Sequence, residues 1–266
     1  MVRATRITAV VIIPVLLAAF VILFGFPDRT PELWAWTIRP DMTAVTIGAG
    51  YLGGAWFFFR VARNRDPGRV VGGLVAASAF TGLLGLATFV HWDRFNHDHV
   101  SFWAWLGLYV VSPILLPFLA VGNRRQAGPV GDERLPGWAR AALAVVGATQ
   151  LVAAACWTVA PSLAMDVWPW ELTALTARTL AAFVAFTGLF LLWPLVDPRR
   201  QAVQIGLEAV TVGLVATAIG SFRGRDDFTG PTAATIAYAA SLASVLVLLV
   251  AVQWPRQRPA RAAARA

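Results

Sequence analysis

Lysine is absent from this chain: all 22 basic residues are arginine. A phosphate-binding G-x-x-x-x-G-K-[ST] loop is therefore excluded. Arginine in place of lysine, with abundant Ala, Gly and Val, is the codon habit of a GC-rich bacterial genome. There is one cysteine, Cys156, set in an apolar stretch. An intrachain disulfide and a Cys-x-x-Cys redox or zinc motif are excluded, and the residue reads as a small core side chain. The three histidines all fall within residues 91–99, and none lies inside a long apolar run, which argues against a haem held between helices by two imidazoles. Charge is scarce too. Charged residues make up 14% of the chain and hydrophobic ones 58%, against roughly 25% and 45–50% in soluble domains. A 266-residue globule could not hide that apolar surface from water, so lipid is the expected solvent.

What is present is a series of apolar runs near the roughly 20 residues a helix needs to cross a bilayer. Eight are predicted, at 7–26, 42–59, 70–90, 102–122, 138–160, 174–195, 202–221 and 232–253, for an all-α integral membrane protein. The first follows Arg3 and Arg6 like a signal peptide, but it is of spanning length and no small-x-small cleavage site follows. It is expected to be retained.

The net charge of +8 does not mark a nucleic-acid partner, because the arginines are dispersed in short segments between the runs. They alternate instead. Sixteen lie at the N-terminus, in the even loops and in the tail, whereas five (Arg29, Arg39, Arg94, Arg223 and Arg225) lie in the odd loops. The positive-inside rule then places both termini in the cytoplasm and the protein in the cell's inner or plasma membrane. The opposite face carries Asp28, Glu32, Asp41, Asp93, Asp98, Asp166, Glu171, Asp226 and Asp227. It also holds Trp34, Trp36, Trp92, Trp103, Trp105, Trp157, Trp168 and Trp170, read as an interfacial belt.

The runs form two copies of a four-helix unit. Pro27, Trp34 and Trp36 match Pro161, Trp168 and Trp170 at one offset; Asp66-Pro67 matches Asp197-Pro198; Arg94, Asp98 and Tyr109 match Arg223, Asp227 and Tyr238 at a slightly smaller one. Ordered matches at equivalent topological places mark an internal repeat. An even number of spans per copy preserves orientation, so the repeats are expected to be parallel, about an axis along the membrane normal. The division is 1–122, a cytoplasmic linker at 123–137, 138–254, and a basic cytoplasmic tail at 255–266. The run from Trp168 to Arg178, W-P-W-E-L-T-A-L-T-A-R, with Trp34-Ala35-Trp36 as its companion, resembles a motif of multi-pass membrane proteins of high-GC bacteria. The resemblance implies topology across nearly the whole chain and implies no activity.

Several polar groups are candidates for function. Glu208 interrupts the seventh run and Arg178 lies inside the sixth; ionisable groups at such depth are costly unless partnered. Glu208 is expected to face another helix. Arg178, too far along the hairpin to meet it, is expected to reach outward to Glu171 or Asp166. Arg39 and Asp41, at the outer start of the second run, are further ligand or proton candidates. His91, Asp93, His97, Asp98 and His99 carry the side chains that bind zinc, iron or manganese, although their spacing matches no established ligand signature. No cofactor is otherwise expected, a divalent metal at this loop being the one candidate. The glycines at 50 and 54, and at 206, 213 and 220, predict close helix packing, and Pro113 and Pro117 a disturbed fourth helix.

Three readings stand on these residues: binding or transport of a small solute or lipid in an outward-facing cavity between the repeats; an accessory or scaffold subunit of a membrane complex; and a metal-dependent membrane enzyme. The bilayer is the partner common to all three.

Overall fold

Each apolar run becomes one long helix, because a helix satisfies its own backbone hydrogen bonds where no water can. The computed structural model describes residues 1–128 and 133–254. Among the described residues, eight helices are long and apolar enough to cross a membrane. They are α1 (Arg3–Phe20, extended by a π turn to Gly25), α2 (Asp41–Arg63), α3 (Val71–Val90), α4 (Val100–Gln126), α5 (Gly137–Val159), α6 (Ala174–Val196), α7 (Arg200–Arg223) and α8 (Thr232–Gln253). No β-strand occurs among the described residues; one isolated bridge joins Arg134 to Arg199. The basic tail at 255–266 and part of the linker, 129–132, lie outside the described residues.

Helix boundaries follow local chemistry. Thr173 caps α6 in a reciprocal pair with Thr176, and the side chain of His99 accepts from the Ser101 N–H at the start of α4. The first free N–H of α2 is met from far away: Met42 N donates to Asp227 Oδ2 at 2.7 Å. Pro113 and Pro117 both lie inside α4, which runs on through them as one helix.

The helices alternate in direction between two ends. At the arginine-rich end, the N-terminal amine meets the Arg65 carbonyl, Val2 N donates to Asn123 Oδ1, and Arg200 reaches the Gln253 carbonyl. At the tryptophan-rich end, Asn96 N donates to the Ala35 carbonyl and Gly230 N to the Pro169 carbonyl.

Helices α2 and α6 occupy the centre. On α2 pack α1 and α7; on α6 pack α5 and α3; α4 lies outside α3, and α8 lies more loosely outside α7. Glycine sets the spacing at two kinds of place. A methyl group added at Gly53 of α2 would come within 2.8 Å of the Ala209 carbonyl oxygen and 3.2 Å of Gly213 Cα, so these backbones touch. Elsewhere a glycine makes room for a ring: Phe57 of α2 lies over Gly73 of α3, and Phe190 of α6 lies over Gly206 of α7.

The tryptophans divide between two environments. Trp92 and Trp103 are exposed, as a belt requires, but Trp34, Trp36, Trp105 and Trp170 are buried. The short odd loops fold back over the helix ends, and their rings pack on one another instead of spreading into headgroups. One cluster joins Trp34, Trp36, Phe95, Trp105 and Tyr109, with Trp36 and Trp105 centroids 4.8 Å apart. A second joins Trp157, Trp168, Trp170, Phe228 and Tyr238. Such aromatic contacts add about 0.5–1.5 kcal/mol per pair beyond burial.

Candidate functional site

The loop that carries the three histidines scatters them. His97 stacks on Trp92, ring centroids 4.9 Å apart, and lies edge-on to Phe102 at 4.6 Å, while its backbone carbonyl accepts from Trp103 Nε1. His99 is engaged as the α4 cap. His91 turns toward the other half of the chain, and Asp93 and Asp98 are exposed. Among the described residues no three His, Cys, Asp or Glu side chains are placed to hold one ion. A metal would need three or four ligands within about 2.0–2.2 Å of a single point. Asp227, in the seventh loop, is occupied by the Met42 N–H at the start of α2.

Arg178 takes a different partner from the acids expected for it. Its Nε donates to the Thr158 carbonyl at 2.9 Å and its Nη1 to His91 Nε2 at 2.8 Å. Glu171 and Asp166 are exposed, whereas the unpaired carbonyl at the end of α5 and the imidazole lie beside the guanidinium. A guanidinium only donates, so His91 Nε2 accepts and its proton sits on Nδ1. Burial, then the charges of Arg178 and Arg94, hold the His91 imidazole below its ordinary value. The contact ties the third loop, from the first half, to α5 and α6 of the second.

Arg39 and Asp41 pair with each other at 2.6 Å, and Arg39 also donates to the Asp28 carbonyl. Arg39 is exposed and Asp41 partly so, and this pair shapes the turn into α2.

Glu208 faces helices, as its depth demands. Its carboxylate pairs with Arg60 of α2 and accepts from Gln204 Nε2, one turn back on α7, at 3.0 Å. Arg60 is the partner that the sequence reading lacks. It stands three residues from the end of α2, just past the apolar run, where it looked like a loop residue. The signal available was depth: both groups lie within about two turns of the arginine-rich end.

Between these two charged ties lies a cavity of about 190 Å³. Its walls come from α2 (Thr46, Gly50, Gly53, Gly54), α6 (Leu180, Phe183, Thr187), α7 (Val210, Gly213, Thr217) and α8 (Tyr238, Leu242, Val245), with Gln150 of α5 and Trp168 closing the sides. Ser241, exposed on α8, stands at the rim. Among the described residues no charged side chain lines it; neither Glu208 nor Arg178 reaches it. The threonines satisfy their hydroxyls on their own helices, Thr46 on the Met42 carbonyl and Thr217 on that of Gly213, and Tyr238 pairs with Ser221 at 3.0 Å. Two polar atoms are left without partners, Gln150 Oε1 and Trp168 Nε1, both buried. A smaller cavity of about 60 Å³ lies across Phe183 in the first half, where Tyr51 and Tyr109 join hydroxyls at 2.7 Å. Phe183 and Gly50 line both. Gln150, a polar residue in the middle of the fifth apolar run, is the residue of this site that the sequence reading passed over.

Comparison of the chain with protein-family models, with curated proteins and with solved structures finds no match.

Proposed function

We propose that this is a multi-pass protein of the plasma membrane that binds a small lipid-soluble molecule in the cavity between its two halves, as a carrier or receptor for that molecule. The observation carrying this reading is the cavity itself. It is charge-free, aromatic at one end, and bordered by both halves of the chain. Its volume of about 190 Å³ is on the scale of the roughly 150 Å³ cavity that accommodates benzene, so it has room for a small apolar ring.

The orientation that fits has the arginine-rich end in the cytoplasm, by the positive-inside rule. The cavity then reaches from the outer boundary, at Trp168 and Tyr238, to mid-membrane, at Gln150 and Val210. The Arg60–Glu208 pair lies on its cytoplasmic side and Arg178–His91 spans the halves on the outer side. The halves are read as parallel repeats. Supporting this, α2 on α7 is answered by α6 on α3, α1 on α2 by α5 on α6, and Phe57 over Gly73 by Phe190 over Gly206 at a single offset. At that offset His91, which ends α3, answers Gly224, which ends α7, and the turn closed by Phe95 answers the one closed by Phe228, so it replaces the smaller offset by which Arg94, Asp98 and Tyr109 were matched to Arg223, Asp227 and Tyr238.

Purification in mild detergent from native membrane, followed by mass spectrometry of extracted small molecules, tests the reading. A compound retained by the wild type and lost when Leu242→Trp fills the cavity supports it. No retained compound in either protein, or the same set in both, refutes it. A second reading, as accessory subunit of a complex, draws on the faces of α5 and α8, most of which the chain itself leaves uncovered; a co-purifying stoichiometric subunit would favour it.

A further inference from the structure

The two unpartnered polar atoms define what kind of molecule the cavity accepts. Both belong to residues that line it. The Trp168 ring packs on Trp157, centroids 5.4 Å apart, and Gln150 lies two turns before Trp157 on the same helix, about 10 Å deeper by helical rise. The other walls are rings, aliphatic groups and threonines whose hydroxyls are satisfied on their own helices, with no charge to neutralise an ion. A buried indole N–H wants an acceptor, and a buried amide wants a partner of either kind. The occupant is therefore uncharged, fits between aromatic walls, and presents an oxygen at each end.

We propose that the cavity binds the head of a quinone- or quinol-type lipid, a ring with oxygens at opposite positions and an apolar tail that leaves past Ser241 between α5 and α8. The proposal rests on the cavity being the binding site and adds the class of ligand. The two ring oxygens, each with a hydrogen bond of about 2.9 Å, span about 11 Å, comparable with the rise of about 10 Å between the levels of Gln150 and Trp157 along α5. Trp168 donates equally to a carbonyl or a hydroxyl oxygen. The Gln150 amide accepts from a hydroxyl with its oxygen or, turned over, donates to a carbonyl with its nitrogen. The pair therefore holds the oxidised and the reduced ring alike. Binding is all that is assigned; the chain has one cysteine and no redox centre of its own is invoked. A simple long-chain alcohol satisfies only one of the two groups, and a fatty acid brings a charge that nothing in the cavity meets.

The test is equilibrium binding of decylubiquinone to purified protein in lipid nanodiscs, beside decanol and decanoate as chain-matched probes. Saturable binding of the quinone is expected, at least tenfold tighter than of either control. Gln150→Leu should weaken the quinone tenfold or more and leave decanol unchanged, and Trp168→Phe should do the same. Leu242→Trp should abolish all binding, with monodispersity on gel filtration checking that each variant folds. Equal binding of quinone and decanol, indifferent to Gln150→Leu but lost in Leu242→Trp, overturns the ligand class and leaves the cavity reading standing. Binding of every probe unchanged in Leu242→Trp, or no binding at all, overturns both.

Discussion

The pair between Arg60 and Glu208 joins the two halves inside the apolar zone, and its removal should expose how much the joint depends on charge. The side chains are 30% and 20% exposed, so the pair belongs between two regimes. Breaking a fully buried pair by removing one partner costs about 3–5 kcal/mol, because a charge is left without compensation. Exposed pairs contribute up to about 1 kcal/mol. Glu208→Gln and Arg60→Gln should each therefore cost about 2 kcal/mol, which lowers the folded-to-unfolded ratio about thirtyfold. The double variant leaves neither charge stranded and should cost less than the sum, with a coupling energy of about 1–2 kcal/mol. Reversible unfolding of the four proteins in bicelles, followed by helical circular dichroism, measures the cycle. Additive costs, with coupling below about 0.3 kcal/mol, would show that the two side chains do not act as a pair.

Other perturbations have equally definite outcomes. Gly53→Val drives a side chain into the Ala209 carbonyl and should destabilise by about 1–3 kcal/mol, whereas Gly107→Ala, with open space around it, should be neutral or slightly stabilising in the same assay. The His91 imidazole is held below its ordinary value, so its contribution is present above about pH 6.5 and is lost as pH falls through the folded-state value. A melting profile from pH 7.5 to 5 should fall for the wild type and flatten for His91→Asn; equal slopes would remove His91 from the account. A reporter that works only in the cytoplasm should be active when fused after Ala266, and activity only of a reporter that works outside the cell would invert the topology.

The helices were legible because run length and polarity are one-dimensional properties: each apolar stretch is long enough to span, and Glu208 did not suffice to break the seventh. The direction of Glu208 was legible too, since lipid offers a carboxyl nothing. Its partner was not, because Arg60 lies at the edge of its run and only the packing of α2 on α7 brings it near. The tryptophans misled for a related reason. Amphipathic rings in short loops suit an interface, but Trp36 and Trp170 gain more from stacking under those loops, and nothing in their spacing records that choice. The histidines were close in sequence and separated in space by three different local demands: a guanidinium for His91, a ring stack for His97, a helix cap for His99. The cavity was least visible of all. It arises because α7 meets α2 glycine to glycine while α8 stands off, a balance of side-chain volumes across four helices that periodicity along one chain does not carry.

The most direct test of the central claim is a high-resolution map of the protein in nanodiscs of its native lipid. Elongated density bounded by Gly50, Gln150, Trp168, Tyr238 and Leu242 is expected in the wild type and not in Leu242→Trp. A map in which α8 closes onto α6, and side chains fill that space, would contradict it.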